Sequence, residues 1–290
     1  MTHPGTAQGL DHVGIVGADL GAMAAAYERL GFTLTPLARH AGRRTPDGPV
    51  VSFGTGNRCV MLQQGYLELL AVLDPAAASP TVPNFLKRYA GIHTMALEVA
   101  DADATLPRLA DAGFGGLAIS QLDRPANGDE PDGPRARFDL VPLPGLPEGR
   151  VNLIRHRTRD AVWQPRFLTH ANNATALEEV VIASESPAEA AARFSRVSGH
   201  PVVPDPAGGY ALTLPCGRIR LLPQAALEKA LPGVSAPCLP FVAGVALRTS
   251  DAAAAITRLV HTLGISARQT ERGLLVDPRA AAGVALHFRA

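Results

Sequence analysis

The sequence predicts an α+β chain built from four repeated βαβββ modules, each a strand, a helix and a run of short strands. Two observations point there. A strand–helix phrase recurs four times, and each recurrence is followed by short apolar runs bounded by Gly, Pro or Asn. A third makes it affordable: 47% of the 290 residues are hydrophobic and 18% charged, enough for a sizeable core.

The first phrase, DHVGIVGADLGAMAAAYERLGF (11–32), reads as a strand, a turn with Asp19 as helix cap, and an amphipathic helix stopped at Gly31. Its strands follow as PVVSFGTG (49–56), NRCVMLQ (57–63) and YLELLAV (66–72). The second phrase spans 91–114, with Asp101 or Asp103 as cap and Gly113 as stop. GLAIS (116–120), RARFDLVPL (135–143) and RVNLIRH (150–156) complete it, and the Pro-, Gly- and Asp-rich 121–134 reads as a solvated loop. The third phrase, 178–200, has Ser184 or Ser186 at the cap and Pro187 in the first turn. HPVVP, GYALTLP and GRIRLL follow it. The fourth, 241–265, has Ser250 or Asp251 as cap and Gly264 as stop, and closes with GLLVDP and VALHFRA. The polar stretch 155–175 carries the only tryptophan and separates two halves, 1–160 and 174–290.

The bulk numbers exclude several classes. With 27 basic and 26 acidic residues, nothing favours nucleic acid or an anionic membrane as partner. Three scattered cysteines make neither a disulfide framework nor a zinc knuckle, and read as reduced thiols of a cytoplasmic protein. The first residues lack a signal-peptide pattern, and no apolar run is long enough to span a bilayer. No GxSxG, HExxH or CxxC signature is present, and the GTG at 54–56 lacks the helix and lysine of a phosphate loop.

Four such modules, with a first strand LDHVGIV and a fourth strand YLELLAV, resemble the vicinal oxygen chelate superfamily: glyoxalase I, extradiol dioxygenases and the bleomycin- and fosfomycin-resistance proteins. The two-halved layout most resembles its glyoxalase-like branch. The resemblance implies that paired modules curl into two cup-like curved mixed sheets with flanking helices. It also implies metal ligands on the first and fourth strands of each module.

Alternation along strands then selects the candidates. Leu10, His12, Gly14 and Val16 share a face, as do Tyr66, Glu68, Leu70 and Val72. His93, Met95, Leu97 and Val99 share another, as do Arg150, Asn152, Ile154 and His156. Glu68 follows His12 at nearly the interval at which Asn152 follows His93. The resemblance assigns the metal-ligand role to His12, Glu68 and His93, a set suited to Zn, Ni, Fe or Mn. His93 is one residue out of step with His12 when counted from the helix caps, and such a slip flips a side chain to the other face. Asn152 stands where glyoxalase I has an acidic ligand and base, so neither glyoxalase nor extradiol chemistry carries over whole. The competing structural reading is a satisfied buried histidine, with Glu68 a core carboxylate paired with His12 or a nearby arginine.

Arg58 is a candidate bidentate anchor for an anionic substrate, or a strand-end surface arginine. In the 155–170 stretch, His156 and Trp163 either line the mouth of the first cup or belong to a packed linker. Aligning copies places Glu179 and Gly244 opposite His12, so the C-terminal half is expected to complete the fold rather than repeat the site. Three functions stay open. One is a metal-dependent lyase, isomerase or dioxygenase on a small oxygen-rich substrate. The others are a metal-free resistance-type binder and an inactive homologue. Each acts on or holds a small molecule, as a monomer or homodimer.

Overall fold

The computed structural model describes residues 4–43, 48–128, 133–251, 254 and 257–290. The first module is β1 (Ala7–Val16), α1 (Leu20–Arg29), β2 (Ala38–Arg43), β3 (Val50–Met61) and β4 (Tyr66–Val72). A short helix α2 (Thr81–Leu86) leads to the second module: β5 (Gly91–Val99), α3 (Ala102–Asp111), β6 (Ser120–Pro125), β7 (Arg135–Leu143) and β8 (Arg150–His156). A one-turn helix α4 (Arg159–Val162) precedes the third module: β9 (Ala174–Ser184), α5 (Pro187–Ser198), β10 (Val202–Pro204), β11 (Tyr210–Thr213) and β12 (Arg218–Pro223). After α6 (Gln224–Ala230) the fourth contributes β13 (Phe241–Thr249), β14 (Ala267–Thr270), β15 (Gly273–Val276) and β16 (Ala285–Arg289).

The helices start where the caps require. Asp19 Oδ1 accepts from the Ala22 N–H at 3.0 Å, and Asp101 Oδ1 accepts from Asp103 and Ala104. Leu20, Met23, Ala24 and Tyr27 form the buried stripe of α1 at helical spacing. Gly199 ends α5 with φ 78°, a conformation costly for any residue with a Cβ. Asp251 Oδ1 accepts from Ala254 N–H, as its expected cap role requires, but most of that helix's first turn lies outside the described residues.

Each module repeats one topology. Its first strand pairs in parallel with its fourth: β1 with β4, β5 with β8, β9 with β12 and β13 with β16. The third strand then pairs with the fourth and the second with the third, antiparallel. First strands of neighbouring modules pair antiparallel, β1 with β5 and β9 with β13, so each half is one curved sheet. The two meet at β5 and β13 through a single partner pair, Val242 and Ile92. The expected loop at 121–134 is partly wrong. Its first residues form β6, which pairs with β7 from Ser120 to Pro125, while 129–132 lie outside the described residues.

Two irregularities position the site. Leu10 partners Leu97 and His12 partners Ala96, so Asp11 is an extra residue in β1. Gly14 partners Thr94 and Ile15 partners Ile92, so His93 is an extra residue in β5. The expectation that Leu10 and His12 share a face fails at the first of these bulges. Leu10 turns to the helix-side core with Leu97, and His12 to the other face.

Candidate functional site

On the concave face of the N-terminal sheet, register sets side by side His12, Ala96 and Asn152, then Gly14, Thr94 and Glu68. Tyr66 lies beside His12, its ring stacked 4.4 Å from the imidazole. Cys59 is opposite Glu68 and Asn57 is two residues along. Gly14 keeps the floor open, since a Cβ there would meet Thr94 Cβ at 2.8 Å and Glu68 Oε2 at 3.4 Å.

The bulge gives His12 its partner. Asp11 is fully buried and aims its carboxylate the same way. Oδ1 lies 2.6 Å from His12 Nδ1 and Oδ2 lies 2.8 Å from His156 Nε2. Burial pushes this carboxyl up, but the charges and hydrogen bonds of His156 and His12 outweigh it and hold Asp11 well below the usual carboxylate range. An ionised carboxylate only accepts, so both rings donate to it. His12 then carries its hydrogen on Nδ1 and, when neutral, presents a basic Nε2.

Glu68 is the second charge. Burial would raise its pKa, but His12, His40, Asn57 and Arg124 together lower it below its ordinary value. Asn57 Nδ2 donates to Oε1, and His40 Nε2 lies 4.0 Å from the same oxygen. His40 Nδ1 is 3.0 Å from Thr55 Oγ1, and burial pushes its pKa down. Cys59 is no nucleophile, because burial and the Glu68 charge push its thiol up to about 12. Asn152 is buried, and its Oδ1 has no partner among the described residues.

The structure separates the sequence candidates. It brings together His12, Glu68, Asn152, His156 and Trp163, the last two as supports. His156 is closed in by Asp11 and by the edge of Trp163 at 4.8 Å, rather than open to the cup. Trp163 donates from Nε1 to the Leu62 carbonyl at 2.9 Å and meets Tyr66 edge-on at 5.7 Å. Two candidates leave the set. Arg58 partners Leu69, on the helix-side face, and its guanidinium is held by Glu28 at 3.0 Å and the Thr35 carbonyl at 2.9 Å. His93, as the bulge residue, stacks between Phe85 at 4.7 Å and Tyr89 at 4.0 Å, and Nε2 lies 2.8 Å from the Tyr89 carbonyl oxygen. Thr94 takes the position opposite Gly14.

Sequence reasoning missed Asp11, His40, Asn57 and Thr94. Thr94 had a signal, since it precedes its cap Asp101 by the interval that separates His12 from Asp19. Asp11 was hidden because strict alternation places it on the opposite face, and only the bulge turns it inward.

The sequence matches the glyoxalase-like domain family over residues 10–198. The chain belongs to that family. It is a glyoxalase-like member of the vicinal oxygen chelate superfamily. Solved structures share the fold. A hypothetical protein from Staphylococcus aureus is 13% identical, with 97% of this chain and 98% of that one covered, at a TM-score of 0.64. A mutant 4-hydroxymandelate synthase from Streptomyces coelicolor is 13% identical over 98% and 92% of the two chains, at 0.53. An extradiol ring-cleaving dioxygenase from B. fuscum is 14% identical over 99% and 73%, at 0.51. Among curated proteins none matches the sequence.

The superfamily implies a divalent metal, and the donor set of this glyoxalase-like chain can be tested against it. The four positions facing one another across the cup hold His12, Glu68, Thr94 and Asn152, two ionisable donors and two weak neutral ones. Among the described residues no three His, Cys, Asp or Glu side chains converge as a metal set. The residues do not fit the His12, Glu68 and His93 shell the resemblance implied.

Proposed function

We propose that the N-terminal half, residues 1–160, binds a small oxygen-rich molecule in its cup. His12 exchanges a proton with that molecule, in chemistry of the isomerase or lyase type. The observation that carries this is the buried Asp11 bonded to His12 Nδ1 at 2.6 Å. A carboxylate behind one ring nitrogen fixes the tautomer, orients the other nitrogen and stabilises the imidazolium that forms on proton uptake.

The surrounding groups support the reading. Glu68 and the unpartnered Asn152 Oδ1 offer acceptors for hydroxyl groups. Thr94 offers a hydroxyl, and Tyr66 and Trp163 supply apolar walls. None of these groups comes from the 174–290 half. The three cysteines are free thiols, which supports the cytoplasmic reading.

The test is deuterium incorporation. Wild type and His12→Ala are incubated in D₂O with EDTA and a panel of 2-oxo acids, 2-hydroxy acids and their esters, and carbon-bound deuterium is read by NMR. The reading expects exchange at carbon next to a carbonyl in wild type, reduced at least about a hundredfold in His12→Ala. Exchange that appears only on adding Zn, Ni, Fe or Mn, or that survives in His12→Ala, overturns it.

A further inference from the structure

The C-terminal half has a concave site of its own, built from different residues. A cavity of about 320 Å³ opens beside the 213–217 turn, lined among others by Glu179, Arg218, Arg248, Arg272 and Arg289. This lies within the range usual for small-molecule sites. Glu179 stands where His12 stands in the first module and is 1% exposed.

The ion pairs leave positive charge over. Glu179 Oε2 accepts from Arg218, and its Oε1 accepts from Arg289 Nη2 at 2.9 Å. Arg220 gives Asp205 two bonds of 2.7 Å and also reaches Glu179 Oε1 at 3.7 Å. Arg248 reaches Glu178 at 3.6 Å. Arg272 has no carboxylate partner among the described residues, and the nearby charge of Arg289 holds its pKa below the usual value. Five guanidinium groups thus gather on three carboxylates. Glu179 is already answered by Arg218 and Arg289, so its neutralisation does not explain Arg272. Like charges assembled around a concavity concentrate an anion there.

We propose that this cavity binds a small organic oxyanion, a molecule bearing a carboxylate or phosphate group, with Arg272 as its principal anchor. Planar guanidinium forks suit either group by paired N–H···O bonds, and Arg218 and Arg248 flank the same opening. The 213–217 turn is anchored to the other half, because Leu10 N–H donates to the Cys216 carbonyl at 2.9 Å. One wall of the site is therefore fixed to β1.

The test is calorimetric titration of the full chain with inorganic phosphate and, separately, malonate at low ionic strength. Saturable binding of either is expected, phosphate alone assigning a tetrahedral oxyanion and malonate alone a carboxylate. Arg272→Ala should weaken it at least about tenfold, and Arg272→Lys should recover part of the loss. Arg272 is exposed, so Arg272→Ala should keep the wild-type melting temperature. Arg166→Ala, on the connecting segment, should bind as wild type. Absence of saturation by both anions, or equal affinity in Arg272→Ala, overturns the proposal. Because the anchor is separate from His12 and Glu68, the outcome is independent of the proton-transfer reading.

Discussion

At the scale of single residues, Asp11 organises the cup as the acceptor shared by two buried histidines. Asp11→Ala leaves both rings without that partner and should cost about 3 kcal/mol, read by urea denaturation. His93 supplies the contrast. A phenyl ring preserves its stack between Phe85 and Tyr89, so His93→Phe should stay within about 1.5 kcal/mol of wild type and retain cup activity, whereas His12→Phe should abolish it. The pair separates a cup built on His12 from the His12, Glu68 and His93 triad. His12 and Glu68 were legible because they lie on the first and fourth strands, where the resemblance places the ligands. Asp11 and His40 were not, since neither follows the repeat.

Among elements, the bulges decide what the cup contains. Alternation predicts faces correctly along β4 and β8, which are regular, and fails in β1 and β5, where one inserted residue changes the phase. Nothing local marks an insertion, because it is a property of two strands together. The interval from a first-strand residue to its helix cap is more robust, and it singles out Thr94. The contact between halves is equally an element property. A Cβ at Gly9 would lie 2.7 Å from Cys216 Cβ and 2.8 Å from the Cys216 carbonyl oxygen. Gly9→Val should therefore force the 213–217 turn off β1 and lower stability by about 2 kcal/mol, measured as a lower melting temperature.

For the whole molecule, module order and topology were legible because strand–helix phrasing and helix caps are local. The arginine-lined second cup was not. Arg218, Arg272 and Arg289 are separated in sequence, and only the pairing of β9, β12, β13, β15 and β16 gathers them. The buried histidines also set a global pH dependence. Burial lowers the pKa values of His40, His93 and His170, and burial with the Arg289 charge lowers His287 to about 4. The unfolded chain takes up these protons first, so stability is full above about 6.5 and falls as pH drops toward 4. His287 alone contributes about 3 kcal/mol over that window. Asp11 and Glu68, also lowered, add their loss below their ordinary carboxylate values. Melting temperature should be level from pH 8 to about 7, decline below about 6.5 and steepen below about 4.5.

The most direct measurement uses the chain's only tryptophan as the reporter. Trp163 touches both His156 and Tyr66 at the base of the N-terminal cup. Its fluorescence is titrated with 2-oxo acids, 2-hydroxy acids and their esters in the presence of EDTA, in wild type and His12→Ala. A saturable change is expected in wild type and should be lost in His12→Ala. A response that needs added metal, or one unchanged in His12→Ala, would contradict the proton-transfer reading.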